Sequence, residues 1–596
     1  MKKYGKLSLI TFFLKGSKYL FAISIASSLL LSAAQMVIPR IISTVVDSII
    51  GNKPPEFLWA VELFGGVEYL RSNLWVVALI AGAVGLIMAI CRYLSGYFNS
   101  KGAEKFIKNI RDRLFEKVLT LPLSWHTANR TGDIIQRCTT DSETIRAFVA
   151  DQMTRLLNII ILITVSLLSV FSIHSGLACL TLATIPVVVG ISYRFFRRSS
   201  ALFTDCDENE GILSSIAQEN LTGYKVVRAF GKEGYECEKF NKQIEIYTNK
   251  WINLCKLLSR FWGTNDFVTG LQSMLILVLG TVLCVNDNLS AGDLIAFITY
   301  NTMLIFPVRQ LGRIISDMSK AGVAVDRIMY IMNSESEKDE GEKLPFTAGD
   351  ICFENVCFAY DKVPVLKNIS FTLKKGQSLG ILGGTGSGKT TLILLLSRLC
   401  VPSEGRITIN GIDIKDIELS SLRKNIGTVM QEPFLFSGTL LENIGITKEN
   451  AAMEEVEAVT KTACLTSTIE NFKTGYETIV GERGVTLSGG QKQRTAIARM
   501  LMKKAPVIVL DDSLSAVDTE TDVAIRKGLK ESFSEATVMI ISHRLASVMS
   551  ADMIIVLENG KITECGAPEE LLKNDGHFSK IHEIQMTLPE ELKNGE

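Results

Sequence analysis

Apolar positions follow two regimes along this chain. Up to Met332 they form long runs; from Asp350 they form short runs and alternations between turns. Crossing a bilayer takes roughly 20 apolar residues. Six stretches of the first part qualify: Tyr19–Val46, Asn73–Phe98, Asp151–Ile173, Gly176–Phe196, Phe267–Val285 and Leu289–Ile314. An even number of spans puts both chain ends on one side. The connection Asn99–Ala150 carries Lys101, Lys105, Lys108, Arg111, Arg113 and Lys117, and Phe196–Trp262 carries Arg197, Arg198, Lys225, Arg228 and Lys232. The alternate connections Ile173–Gly176 and Val285–Leu289 have no basic residue, and Asp47–Asn73 has only Lys53 and Arg71. Basic connections stay in the cytoplasm, so both termini are expected there.

The long connections keep helical apolar spacing over Ala103–Leu121 and Leu213–Phe230, so the spans are expected to run on as helices. Two glycine-broken pieces interrupt them, Thr131–Ile135 and Leu221–Lys225, which read equally as surface turns or docking tips. Met1–Lys18 sets lysines around Leu7–Leu14, a short helix suited to a membrane face. Hydrophobicity continues past Ala33-Ala34, so the first span is expected to be uncleaved rather than a signal peptide. Gln35, Arg40, Arg92, Asn158, Asn301 and Arg309 are polar positions in or near the spans. A mid-bilayer charge costs on the order of 3 kcal/mol, so they are candidates for a transport pathway or for helix-end snorkelling. Pro39, Pro186 and Pro307 predict kinks.

Asn333–Lys343 is charged, without apolar period, and reads as a linker. The fold class is therefore an all-α six-span transmembrane domain (1–332), a linker (333–349) and an α/β nucleotide-binding domain (350–596). At 596 residues the chain is too long for one core. Its 63 basic and 63 acidic residues cancel, leaving no basic footprint for nucleic acid. Twelve cysteines form no C-x-x-C pair, and His126, His174, His577 and His582 lack ligand spacing, so no zinc or disulfide framework is expected.

The chemistry concentrates after Ser378. A short apolar run breaks into Gly383-Gly384-Thr385-Gly386-Ser387-Gly388, then Lys389-Thr390-Thr391 and an apolar helix. This is the G-x-x-x-x-G-K-[ST] phosphate loop in its strand–loop–helix setting. The glycines let backbone N–H groups turn toward a polyphosphate, and the helix points its positive end at the same anion. Lys389 is placed for the β- and γ-phosphates and the Thr390 hydroxyl for Mg²⁺. Val507–Leu510 is a second buried strand ending in Asp511, a carboxylate for Mg²⁺, and Asp512, placed to orient or deprotonate a water. Val538–Ile541 is a third, followed by His543, which can contact the γ-phosphate region. Tyr360, at a strand end upstream of the loop, suits stacking on a base, though packing alone explains such a residue. Leu487-Ser488-Gly489-Gly490-Gln491 opens a helix whose first N–H groups make another anion site. Two phosphate-grade sites in one chain suggest two nucleotide domains face to face, sharing each ATP.

This set in this order resembles the ATP-binding cassette (ABC) transporters, specifically exporter-type half-transporters, and the resemblance covers the whole chain. It rests on Gly383–Thr390, Gln431 in VMQEP, Leu487–Gln491, Asp511, Ser515-Ala516-Val517-Asp518 and His543. It implies that Tyr360 stacks on adenine and that Gln431 couples Mg²⁺ and the attacking water to the membrane half. It also implies that Ser488–Gln491 hold the γ-phosphate of ATP on the partner chain, that Asp518 touches that partner, and that His543 is the switch histidine. Gly481–Gly484 is similar to the loop that meets cytoplasmic helix tips, which makes the pieces near Gly132 and Gly223 coupling helices. The family places Glu after the Walker B Asp; this chain has Asp512, one methylene shorter. Slow hydrolysis at its own site follows, beside an intact signature.

That asymmetry resembles the degenerate-site subunit of a heterodimeric multidrug exporter, with a slow homodimer as the other expectation. The implied activity is ATP-driven export of small hydrophobic or amphiphilic molecules, lipids or peptides from a bacterial cell membrane. An ATP-gated channel or regulatory membrane protein is the alternative.

Overall fold

The computed structural model describes residues 5–593 apart from 52, 55–57, 338, 340, 341, 362 and 449. Lys2 and Lys3 of the expected N-terminal helix, and Lys338, Glu340 and Gly341 of the expected linker, lie outside the described residues. Contacts divide the chain into two compact units, Met1–Leu121 with Asn129–Ser334, and Pro122–Ala128 with Glu335–Glu596.

The first unit is all-helical. Among the described residues six helices are long and apolar enough to cross a membrane: Lys18–Ile50, Leu74–Leu119, Thr131–Ile173, Ser175–Thr222, Glu233–Val285 and Ala291–Leu311. Each contains or overlaps one expected stretch. The second, fourth and fifth run 46, 48 and 53 residues. At 1.5 Å per residue that is about 70–80 Å, more than twice a hydrocarbon core of about 30 Å. The first and second helices are joined by small residues, with Ser28 Oγ 2.6 Å from Ser95 Oγ and Ser24 Oγ donating to the Ser95 carbonyl at 3.0 Å. Close approach of this kind is the usual device where apolar burial gives no drive between helices. The polar ends of the fourth and fifth helices hold through Lys250–Asp205 at 2.8 Å and Tyr247–Glu210 at 3.1 Å. At the far end Asp47 accepts from the Ser290 hydroxyl at 2.5 Å and the Gly292 N–H at 2.9 Å, so the first helix supplies a carboxylate to the N-terminus of the last.

The helices break where proline, not the first glycine, dictates. Leu74–Leu119 ends before Pro122, which cannot continue it, and a short helix Leu123–Ala128 follows. Gly132 lies inside the helix Thr131–Gln136, in a first turn where backbone N–H groups need no intrahelical partner. Pro122–Ala128 groups with the cassette unit, whereas Thr131–Ile135 stays with the helical unit. The second break is where expected: Gly223 ends Ser175–Thr222 and Tyr224–Ala229 follows. Leu221, Tyr224, Val226 and Phe230 are all exposed there, Leu221 at 77% and Phe230 at 74%.

The second unit is α/β. Strands β1 (Ile351–Tyr360), β2 (Val363–Leu373), β4 (Glu404–Ile409) and β5 (Ile412–Asp413) form an antiparallel sheet in the order β2-β1-β4-β5. A six-stranded sheet carries β3 (Ser378–Gly383), β6 (Ile426–Val429), β9 (Val507–Asp511), β10 (Thr537–Ile541), β11 (Met553–Glu558) and β12 (Lys561–Gly566), in the order β12-β11-β3-β10-β9-β6. A two-stranded ladder pairs β7 (Gly438–Thr439) with β8 (Ile479–Val480). All pairings of the six-stranded sheet are parallel except β11–β12. Strands buried on both faces read as continuous apolar runs. In β9, Val507 and Val509 join the core that holds Leu392, Leu395 and Leu396, while Ile508 and Leu510 join the core that holds Ala496 and Ile497.

The charged stretch before the sheets is not a free tether. Glu337 makes a bidentate pair with Arg423, at 2.8 and 2.5 Å, and Asp339 bonds Arg398 at 3.1 Å and the Leu419 N–H at 3.2 Å. Apolar period is what a linker lacks; charge pairing can still seat it. Glu337→Gln is expected to lower cassette stability by about 1 kcal/mol, the scale of a well-formed, partly exposed pair. A downward shift of the second transition in thermal unfolding of the detergent-solubilised protein checks this.

Candidate nucleotide site

The sheet order brings three strand ends side by side, because β3 and β9 flank β10. Crevices at the carboxyl ends of parallel strands are where such sheets bind ligands. After β3 the chain turns through Gly386 (φ 79°) and Gly388 (φ 102°) into the helix Lys389–Leu396. A Cβ on Gly388 would lie 2.6 Å from Leu366, so position and dihedral both demand glycine there. The Lys389 ammonium lies over the loop, donating to the Gly383 and Gly384 carbonyls at 2.9 and 2.8 Å. Burial holds its pKa below the usual lysine range, against the opposing charges of Asp511 and Asp512. The Thr390 hydroxyl donates to Asp511 Oδ2 at 2.9 Å. Asp511 is 2% exposed. Burial, and after it the charge of Asp512, raise its pKa, while the Thr390 bond, Lys389 and His543 pull the other way.

Asp512 adopts φ 43°, a left-handed conformation that Asp tolerates better than most residues, and its N–H donates to the Ile541 carbonyl at 2.9 Å. It is half-buried, and its backbone is thus tied to the end of β10, two residues before His543. His543 is exposed. Gln431 is exposed just past β6, which pairs with β9. Tyr360 ends β1 with its ring edge-on to Phe358 at 4.8 Å. Burial raises its phenol pKa, against a hydrogen bond with Thr391. Lys389, Thr390, Asp511, Asp512 and His543 therefore converge, with Gly383, Gly384, Thr385 and Ser387 around them.

Ser488–Gln491 belong to a different part of the unit. Ser488 caps the helix Gly489–Met502 in a reciprocal box: its N–H donates to Gln491 Oε1 at 2.9 Å, and its hydroxyl accepts from the Gln491 N–H at 3.4 Å. A Cβ on Gly490 would meet the Ala516 carbonyl at 2.9 Å, whereas one on Gly489 meets only the Ala516 methyl at 3.6 Å. The described contacts of this helix start run to Ser515–Ala516 and not to the phosphate loop. Asp518 spends a carboxylate oxygen on the Thr521 N–H at 3.0 Å, capping Thr519–Ser532, and those bonds lower its pKa.

Two residues not singled out in the sequence hold this arrangement. Gln493 accepts from the Ala516 N–H at 3.0 Å and donates to Ser515 Oγ at 3.3 Å. Arg544 donates to the Ser515 and Val517 carbonyls at 2.8 and 3.1 Å. Gln493 lies two residues past the signature and Arg544 directly after His543, and nothing in local period marks either. Their role is visible only once the Ser515–Asp518 loop is placed.

ATP and Mg²⁺ fit these residues. The Ser387 hydroxyl is buried in the loop without a partner, the Lys389 ammonium overlies it, and Thr390 with Asp511 offers two hard oxygens. Among the described residues no group of three His, Cys, Asp or Glu side chains forms a further metal site.

In the membrane unit, a chamber of about 530 Å³ is lined by Met36, Trp59, Phe64, Val77, Tyr300 and other mostly apolar residues, with Arg40 in its wall. Arg40 donates to Ser172 Oγ at 2.6 Å and lies 3.7 Å from Asp293. Asn301 accepts from Gln272 at 2.6 Å, and Arg309 pairs with Asp266 at 2.8 Å, so both are met inside the helix bundle. Gln35 and Asn158 are half-buried and Arg92 is exposed.

Residues 21–308 match the family model for the ABC transporter transmembrane region, and residues 366–515 the model for the ABC transporter cassette. An uncharacterized ABC transporter ATP-binding protein of Bacillus subtilis (strain 168) is 32% identical over 572 residues, covering 95% of both chains. A "probable multidrug resistance ABC transporter ATP-binding/permease protein" of the same organism is 34% identical over 515 residues, 85% of this chain and 88% of its own. An ATP-dependent lipid A-core flippase of Syntrophus aciditrophicus (strain SB) is 31% identical over 526 residues, 87% of each. The solved structure of a bacterial Atm1-family ABC exporter with ATP bound superposes with a TM-score of 0.79 at 26% identity, covering 94% of this chain and 98% of that one.

The chain belongs to the ABC transporters. Within them it is an exporter-type half-transporter, an integral membrane protein with one transmembrane region and one cassette, which works as a dimer. Its cassette is an ATPase coupled to transport.

Proposed function

We propose that this chain is one subunit of a heterodimeric exporter of apolar or amphiphilic molecules, with its own ATP site the degenerate one. The observation that carries the reading is Asp512: a short carboxylate beside a complete Thr390–Asp511 pair, in a chain whose signature helix start is fully formed. Here Lys389 and the loop N–H groups bind the phosphates, and Thr390, Asp511 and Gln431 are the residues that would hold Mg²⁺. Bound Mg²⁺ would supply charge neutralisation on the phosphates. Asp512 orients the water but stops short of taking its proton effectively. Ser488, Gly489, Gly490 and Gln491 face the nucleotide of the partner, which carries Glu after its own Walker B Asp, and Asp518 lies at that junction.

The termini and cassette lie in the cytoplasm, on the side of the basic connections. The substrate class is supported by the apolar chamber around Arg40 and by relatives described as a multidrug resistance transporter and a lipid A-core flippase. ATP-dependent uptake of a fluorescent amphiphile into inside-out vesicles, against its gradient, is the expected result. Passive current gated by ATP, with no uphill uptake, would replace the pump with a channel.

A further inference from the structure

The C-terminal helix His577–Lys593 reaches back to the switch loop. Its base is anchored: Phe578 is fully buried in the cassette core, and the N–H groups of His577 and Phe578 donate to the Glu564 carboxylate. Ile581 packs on the same core. Phe578, Ile581 and Gln585 stand at i, i+3 and i+7, the spacing of one helix face. Gln585 itself is exposed, at the solvent edge of that face. Its carboxamide bridges the backbone on both sides of Arg544. Gln585 Oε1 accepts from the Leu545 N–H at 2.9 Å, and Gln585 Nε2 donates to the His543 carbonyl at 3.2 Å. The residue between them, Arg544, is the one whose guanidinium holds the Ser515 and Val517 carbonyls.

We infer that Gln585 is a positioning residue for the ATP site: it fixes the backbone from which His543 and Arg544 project, so the C-terminal helix sets the geometry of the switch loop. A hydrogen bond to each side of a residue removes its freedom to rotate as a unit, which one bond alone does not. The histidine imidazole is exposed; the loop's own bonds, Arg544 N–H to Ser542 Oγ at 3.0 Å and Ser547 N–H to the Arg544 carbonyl at 3.1 Å, hold the residue between the two that Gln585 clamps. This rests on reading His543 as the side chain that meets the terminal phosphate.

The test uses the full chain in lipid, with Gln585→Leu, which keeps a side chain of similar bulk and deletes both bonds, and Gln585→Glu, which keeps only the acceptor. Hydrogen exchange at the Leu545 amide is expected to speed about tenfold in Gln585→Leu and to stay near the parent in Gln585→Glu, because that amide has lost or kept its acceptor. Turnover in Gln585→Leu is expected to fall five- to tenfold in kcat with KM within twofold. Combined with His543→Ala, the loss should be no greater than for His543→Ala alone. Unchanged exchange would remove the clamp. Unchanged kcat, additive losses, or a silent His543→Ala would each overturn the positioning role. The ratios are read again in the Asp512→Glu parent. A failure of that parent to accelerate bears on the degenerate-site reading, while the Gln585 ratio still reports on the clamp.

Discussion

Replacing Asp512 with Glu is expected to raise ATP turnover of the purified chain in lipid about a hundredfold. A water-activating carboxylate must come within about 3 Å of its water, and a well-placed base contributes typically 10²–10⁴-fold. A misplacement of about 1 Å, less than one methylene adds to reach, is enough to cost about 10². The backbone at this position will not move to compensate: its N–H is bonded to the Ile541 carbonyl, and the Asp512 carbonyl accepts from Ser515 Oγ at 2.8 Å. The longer side chain therefore starts from the same Cα and extends toward the same place. Its own cost is the left-handed φ of 43°, which suits Glu less well than Asp by a fraction of the 1–2 kcal/mol that such a conformation takes. The measurement is phosphate release at saturating ATP, with Lys389→Ala in the same background returning the rate to baseline. A rate within twofold of wild type would mean that reach does not limit this site, and the degenerate-site reading would go.

What the chain revealed in advance follows from which features are local. The phosphate loop was legible because glycine, lysine and threonine act within one turn of backbone, and a strand–loop–helix setting can be read from apolar runs. The six spans were legible because length alone decides them, and the continuation of Leu74–Leu119 past the membrane followed from helical spacing in its charged half. The first helix break was misplaced because a glycine was read as the break. Gly132 can sit in a helix's first turn at little cost, whereas Pro122 denies the helix both an N–H and space, so the chain leaves the helix there. The charged stretch after Asn333 was read as a tether because it lacks apolar period, and the two arginines that seat Glu337 and Asp339 lie some sixty to ninety residues further on. Gln493, Arg544 and Gln585 were invisible for the same reason: each acts on backbone brought near by the sheet order, and a polar residue that bonds distant carbonyls leaves no periodic trace.

A change in the signature is expected to hurt more than a change in the phosphate loop, and that inversion separates the heterodimer from its rival. Gly490→Asp should lower transport-coupled ATPase of the assembled dimer by about 10²-fold or more, the scale of losing one well-aimed donor to a developing charge. Two causes act together. Any Cβ at Gly490 falls 2.9 Å from the Ala516 carbonyl, in a loop held by Gln493 at the Ala516 N–H and by Arg544 at the Ser515 and Val517 carbonyls, so the Ser515–Asp518 loop must shift. The added carboxylate also places negative charge at a helix start suited to phosphate. Gly489→Ala meets the Ala516 methyl at an ordinary 3.6 Å and should be far milder, which controls for general damage. In a heterodimer the competent site is made by this signature and the partner's phosphate loop, so Lys389→Ala in this chain touches only the slow site and should cost the assembled dimer less than about threefold. In a homodimer every site uses both elements, and Lys389→Ala must be as damaging as Gly490→Asp. Equal and large losses from the two substitutions would therefore leave the chemistry of each site standing and remove the asymmetric partner.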